Sequence, residues 1–204
     1  MRILRWALIG FVVLLASCGG GSSSTTSEAS STTSETPSTS TVADPAVVYK
    51  VGDTGPGGGI IVYVDEGGFD NSSGDDSSIG AVCLAVSCNY LEISPADVEG
   101  EFSMSDAINA SENYSTTTAN DWVLPSKDAL NEMCKYAFGD TVNDVCNNSG
   151  SGELVNRFGD FSSGPYWRSS EGADNDEWSQ SFVNGFQNYD GMNSKAFVRP
   201  VRAF

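Results

Sequence analysis

Asn120-Asp121-Trp122-Val123-Leu124-Pro125-Ser126 leads into Lys127-Asp128-Ala129-Leu130-Asn131-Glu132-Met133-Cys134-Lys135-Tyr136-Ala137-Phe138. The spacing predicts a helix over about 126–138. Ser126 is its N-cap, since a hydroxyl oxygen there can accept one of the N–H groups left open in the first turn. Asp128 falls where the helix end is positive. Leu130, Met133, Cys134 and Ala137 recur at i, i+3, i+4 and i+7, an apolar stripe that turns Cys134 inward. A second, earlier helix starts at Ser103. Met104, Ala107, Ile108 and Ser111 share one face, and Ser103 with Asp106 approximates a capping box.

Around these helices the pattern is that of strands. Ile60-Ile61-Val62-Tyr63-Val64 is a buried strand, and the apolar segments 81–86 and 90–94 read as two more. A polar loop spans 65–80. The last 40 residues carry Tyr166-Trp167-Arg168-Ser169-Ser170, Trp178-Ser179-Gln180-Ser181-Phe182-Val183 and a closing Phe197-Val198-Arg199-Pro200-Val201-Arg202-Ala203-Phe204. A Gly, Asn and Asp-rich stretch between the last two suits a long hairpin. Gly52-Asp53-Thr54-Gly55-Pro56-Gly57-Gly58-Gly59 precedes the first strand. A phosphate-binding loop would need a Gly-Lys-Ser/Thr ending and a following helix, and two Gly-x-y triplets are too few for collagen, so a tight turn is expected.

The N-terminus reads differently. Arg2 and Arg5 precede an apolar run from Trp6 to Ala16, then Leu15-Ala16-Ser17-Cys18. The run is shorter than the roughly 20 residues needed to cross a bilayer and fits a signal-peptide core. The tetrapeptide matches a bacterial lipobox, in which the Cys thiol accepts a diacylglyceryl group. Residues 1–17 are therefore read as a lipoprotein signal peptide. Residues 18–46 are the lipidated Cys18 and a Ser/Thr-rich linker expected to be disordered, because it offers too little apolar surface to offset ordering. As a coil it would span roughly 30 Å. Residues 47–204 form one globular domain.

This places the mature chain outside the cytoplasm, on a membrane. Two of the 10 basic residues leave with the signal, so 8 − 27 gives a charge of −19. Such a surface disfavours nucleic acid and other polyanions. With Cys18 lipidated, Cys83, Cys88, Cys134 and Cys146 remain, an even count that implies two disulfides. Three pairings are open; Cys83–Cys88 and Cys134–Cys146 are expected, each closing a short loop. A four-thiolate zinc site is the rival, with spacings unlike CxxC knuckles. Two acidic clusters, Asp65-Glu66 with Asp70, Asn71, Asp75 and Asp76, and Asp174-Asn175-Asp176-Glu177, are weighed as solvated loops or as calcium ligands. Asp70, Asp75, Asp76, Asp174 and Asp176 are the candidate ligands, and no other cofactor is expected. Neither cluster has EF-hand offsets.

Trp122-Val123-Leu124-Pro125-Ser126, Tyr166-Trp167-Arg168-Ser169-Ser170 and Phe197-Val198-Arg199-Pro200-Val201-Arg202, in that order, resemble the C-terminal domain family of the Legionella collagen-like adhesin. Val51 to Gly59 also looks like the start of bacterial members of that group. The resemblance covers roughly 49–204. It implies an α+β, C-type-lectin-like domain with two helices and antiparallel sheets, related to formylglycine-generating-enzyme-like folds. It departs from the family at Val123, where Arg is usual, at Arg168, where Ser is usual, and in lacking a long collagen-like repeat. Binding of polyanionic glycans, implied by the named adhesin, conflicts with the charge.

Three functions follow. The first is a ligand-binding or adhesion module for a glycan or envelope component. The second is a passive envelope protein. The third is a carboxylate-dependent hydrolase: without His and with oxidised thiols the chain lacks the usual Ser–His or Cys–His nucleophile, while acidic residues are abundant, although no spacing selects a carboxylate pair. No catalytic residue is assigned. Trp122, Trp167 and Trp178 are expected in the core. Arg199 is expected inward, paired with a carboxylate such as Asp121.

Overall fold

Two helices and two small antiparallel sheets make up the α+β domain seen in the computed structural model, which describes residues 47–139, 145–146, 158–171, 176–191 and 194–204. They belong to one compact unit, Pro45–Phe204. The candidate Cys18, the linker and Asp174 lie outside the described residues. Among the described residues no helix is long and apolar enough to cross a membrane.

The first sheet has the order β1 (Ile60–Phe69), β2 (Cys88–Ile93), β6 (Val201–Ala203). β1 outlasts the expected strand because the pairing with β2 continues through two register shifts, to Phe69 opposite Cys88. The expected strand at 81–86 does not form. Ile79–Val82 is a 3-10 helix instead, and Leu84 and Val86 are 68% and 95% exposed on the loop beyond it. That loop is closed by the Cys83–Cys88 disulfide.

The second sheet has the order β3 (Pro165–Glu171), β4 (Asp176–Ser181), β5 (Gln187–Gly191). The hairpin after β4 therefore closes on β5, inside the stretch read as turn, and not on the chain terminus. The terminal segment crosses to the first sheet, where Leu91, Glu92 and Ile93 face Ala203, Arg202 and Val201. Pro200 has no N–H to give to a ladder, which holds the regular strand to three residues.

The helices follow their local signals. α1 (Met104–Glu112) begins at Ser103, whose hydroxyl oxygen accepts from the Asp106 N–H and whose O–H donates to the Asp106 carboxylate at 2.7 Å. α2 (Lys127–Phe138) begins at Ser126, which accepts from the Ala129 N–H, and ends at Gly139 with φ 68°, the left-handed conformation that glycine enters without strain. Leu130, Met133, Cys134 and Ala137 are fully buried, as their stripe predicts. Cys134 bonds to Cys146 and ties α2 to the loop beyond. α2 packs on β1 and on β3, and its stripe meets Leu91, Ile93, Tyr166 and Phe182 in the larger core cluster. Met104, Ala107, Leu124, Trp167 and Val198 form a smaller one under α1. Trp122 and Trp167 are core residues, each 1% exposed. Trp178 differs: it is half-buried on the central strand of the second sheet, its ring against that of Tyr189.

Candidate functional site

The motifs that stand out in the sequence are largely spent on the scaffold. Glu92 is fully buried on β2, directly opposite Arg202 on β6. Arg202 Nη1 donates to its carboxylate at 2.9 Å. The glycine cluster folds over the same carboxylate, with Gly57 N–H donating at 3.1 Å and Gly59 N–H at 2.7 Å. A Cβ at Gly57 would sit 2.9 Å from both a Glu92 oxygen and the Trp122 ring. The cluster is thus an anion cradle whose anion is a side chain of the same protein, and side-chain-free residues are needed because the approach is so close.

Arg202 also clamps Asp121 with both edges of its fork, Nε to Oδ1 at 2.7 Å and Nη2 to Oδ2 at 3.0 Å. Burial works against its charge, yet the two carboxylates outweigh that and raise its pKa. Hydrogen bonding from Arg202 in turn lowers the pKa of Asp121. Asp121 therefore pairs with Arg202, not with Arg199 as expected. Arg199 does lie inward, 1% exposed, and pairs with Asp97 at 3.1 Å. It donates further to the carbonyls of Ser94, Pro95 and Gly159. Tyr166 O–H donates to the other Asp97 oxygen at 2.6 Å. Burial first, then this acidic neighbour, drives the Tyr166 pKa far up. The two arginines stand three positions apart in the chain, and each one closes a different knot.

The acidic loop residues are turned on their own backbone. Asp65 accepts from Gly67 N–H, Asp70 from Ser72 N–H and Asp75 from Ser77 N–H, each at 2.8 or 2.9 Å. The bonds from Ser72 lower the Asp70 pKa. Asp76 is exposed on the same loop. Among the described residues no three His, Cys, Asp or Glu side chains converge as a metal site. Asp176 lies at the start of β4, its side chain outside the described residues, as is Asp174.

What remains open is a cleft of about 590 Å³ between β1 and α2. Tyr63 comes from β1 just past the register shift after Ile61, partly buried against the core, and Tyr136 from α2 beside the apolar stripe. Phe158, 49% exposed, packs at 5.7 Å on the Tyr136 ring. Lys135 lies on the same wall, 3.0 Å from Glu132, the one carboxylate among the described lining residues. Burial raises the pKa of both tyrosines, helped at Tyr63 by Asp65 and Glu132. Both phenols are thus neutral at physiological pH and can donate as well as accept. A second hollow of about 640 Å³ shares Val51 and Val64 with the first and adds Tyr49, Tyr90 and Lys50.

None of the cleft residues was singled out from the sequence. The available signal was two half-polar aromatics, Tyr63 and Tyr136, set on otherwise apolar elements. A scan against protein-family models and a search of curated proteins return no match for the chain.

Proposed function

We propose that the chain is an extracytoplasmic lipoprotein, held to a membrane by lipid on Cys18, whose lectin-like domain is a binding or adhesion module for a glycan or envelope component. The aromatic cleft carries this reading. Tyr63, Tyr136 and Phe158 offer flat apolar faces, while Lys135, Glu132 and two neutral phenols supply polar groups at fixed positions. Ligand sites combine apolar walls with a few placed polar groups in this way, and sugar rings present an apolar C–H face with hydroxyls at the edge. Glu132 is held by Lys135, which suits orientation of a ligand more than acid–base work. The −19 charge turns the module toward uncharged or amino-bearing ligands and away from nucleic acid and other polyanions.

A passive envelope protein is the second reading. It is favoured by Leu84 and Val86, apolar and strongly exposed on a loop pinned by Cys83–Cys88. A tip of that kind suits packing on another envelope part. A glycan array probed with the full chain separates the two. Retention on uncharged or amino-bearing glycans, with none on heparin-like polymers, is expected; a blank array speaks for passive packing.

A further inference from the structure

A second constellation lies on the β3-β4-β5 sheet, apart from the cleft. Arg168 on β3 is 4% exposed, and its Nε and Nη1 find no hydrogen-bond partner among the described residues. Its guanidinium lies over the Trp178 ring, 4.3 Å from the centroid. Trp178 faces Tyr189 across the β4-β5 pairing with ring centroids 3.5 Å apart, and Tyr189 is 56% exposed. One row therefore runs from a buried cation through a half-buried indole to an exposed phenol. The start of α2 lies alongside, since the Ser169 N–H donates to the Pro125 carbonyl and the Asp128 N–H to that of Ser77. Asp76 and Asp128 act on the guanidinium by charge. Burial lowers the Arg168 pKa to about 10, so the group is charged at neutral pH.

Two nitrogens without acceptors on a desolvated guanidinium are costly to the fold. Arg199 and Arg202 show how completely this protein satisfies an arginine elsewhere. A buried donor without a partner calls for an explanation, and an incoming molecule that supplies the acceptor is one. The missing partner is an acceptor. A ligand anion is disfavoured, because the charges of Asp76 and Asp128 already act on the guanidinium. Hydroxyl or carbonyl oxygens on an uncharged molecule meet the requirement, and the Trp178 and Tyr189 rings suit the C–H face of a pyranose.

We propose that Arg168, Trp178 and Tyr189 form a binding subsite for an uncharged saccharide, with the sugar ring on the aromatic row and its oxygens accepting from Arg168. Because Arg168 is 4% exposed behind the rings, entry requires the exposed Tyr189 side chain to turn aside. The subsite stands independently of the cleft.

Trisaccharides of mannose, glucose and N-acetylglucosamine, with trigalacturonic acid as the anionic control, are titrated into the full chain and followed by Trp fluorescence and calorimetry. At least one neutral trisaccharide binds at millimolar concentration or below. Arg168→Met and Tyr189→Ala each weaken it by tenfold or more. Arg168→Met also melts no lower than the wild type, because it removes unsatisfied donors. If Arg168→Met does not fold, Tyr189→Ala decides. No neutral binding, preference for trigalacturonic acid, or binding that survives both changes overturns the proposal. Loss of binding in Tyr136→Ala alone assigns the sugar to the cleft and overturns the subsite while leaving the binding module standing.

Discussion

Glu92→Gln perturbs the point where three sequence motifs meet. The carboxylate accepts three hydrogen bonds in a fully buried position, from Gly57, Gly59 and Arg202. An amide of the same shape keeps one acceptor oxygen and turns an NH₂ toward a donor. If it faces the glycine N–H groups, at least one buried donor is orphaned, at about 1–3 kcal/mol. If it takes the place of Oε2, Gly57 N–H and Arg202 Nη1 both lose their acceptor, and in either orientation the buried ion pair is lost, a change that costs about 3–5 kcal/mol when the remaining charge has no partner. Here Arg202 keeps its two bonds to Asp121, which limits the loss. The expected destabilisation is therefore about 3 kcal/mol. For a domain near 150 residues this lowers Tm by about 10 °C, at 2–4 °C per kcal/mol. Urea unfolding followed by circular dichroism measures it, with an unchanged m-value showing that the change lies in stability. A loss below about 1 kcal/mol would refute the reasoning, since the glycine cradle would then hold its shape without an anion.

Other predictions follow from the same contacts. Replacing Cys134 and Cys146 together with Ser releases α2 from its loop and lowers stability by about 2–3 kcal/mol; an unchanged denaturation midpoint counts against the link. The lowered pKa of Asp121 makes its contribution present above the ordinary carboxylate value of about 3.9 and lost as pH falls through the folded value. The wild type should thus lose stability below about pH 4 more steeply than Asp121→Asn, and equal slopes in urea midpoints would contradict this. Cys18→Ser should abolish incorporation of radiolabelled fatty acid, and equal label in both proteins would remove the anchor from the account.

The parts of the fold legible in the sequence are those with local causes. Ser103, Ser126 and Gly139 bound the helices through groups a few residues away, and the α2 stripe needs only a helical period. The two disulfides span 5 and 12 residues, so chain proximity indicates the pairing. β5 was missed because Gln187-Asn188-Tyr189-Asp190-Gly191 is a solvent-washed edge with no apolar alternation. The terminal segment looked like one long strand because its apolar residues run past Pro200, but Arg199 is turned to Asp97 instead of joining a ladder. Glu92 carries no local sign of burial; its partner Arg202 is 110 residues away. The cleft was hidden for the same reason, with walls from β1, α2 and Phe158 that meet only after folding.

The central claim is that the domain binds through the aromatic cleft. Its most direct test is co-sedimentation of the full chain with isolated cell-wall glycan, comparing wild type with Tyr136→Ala/Phe158→Ala. Circular dichroism and Tm confirm that the variant is folded. The account predicts that the wild type pellets in a saturable manner and that the double change weakens this at least tenfold, a loss of about 1.4 kcal/mol or more. Equal pelleting of the two proteins, or no pelleting of either, would contradict it.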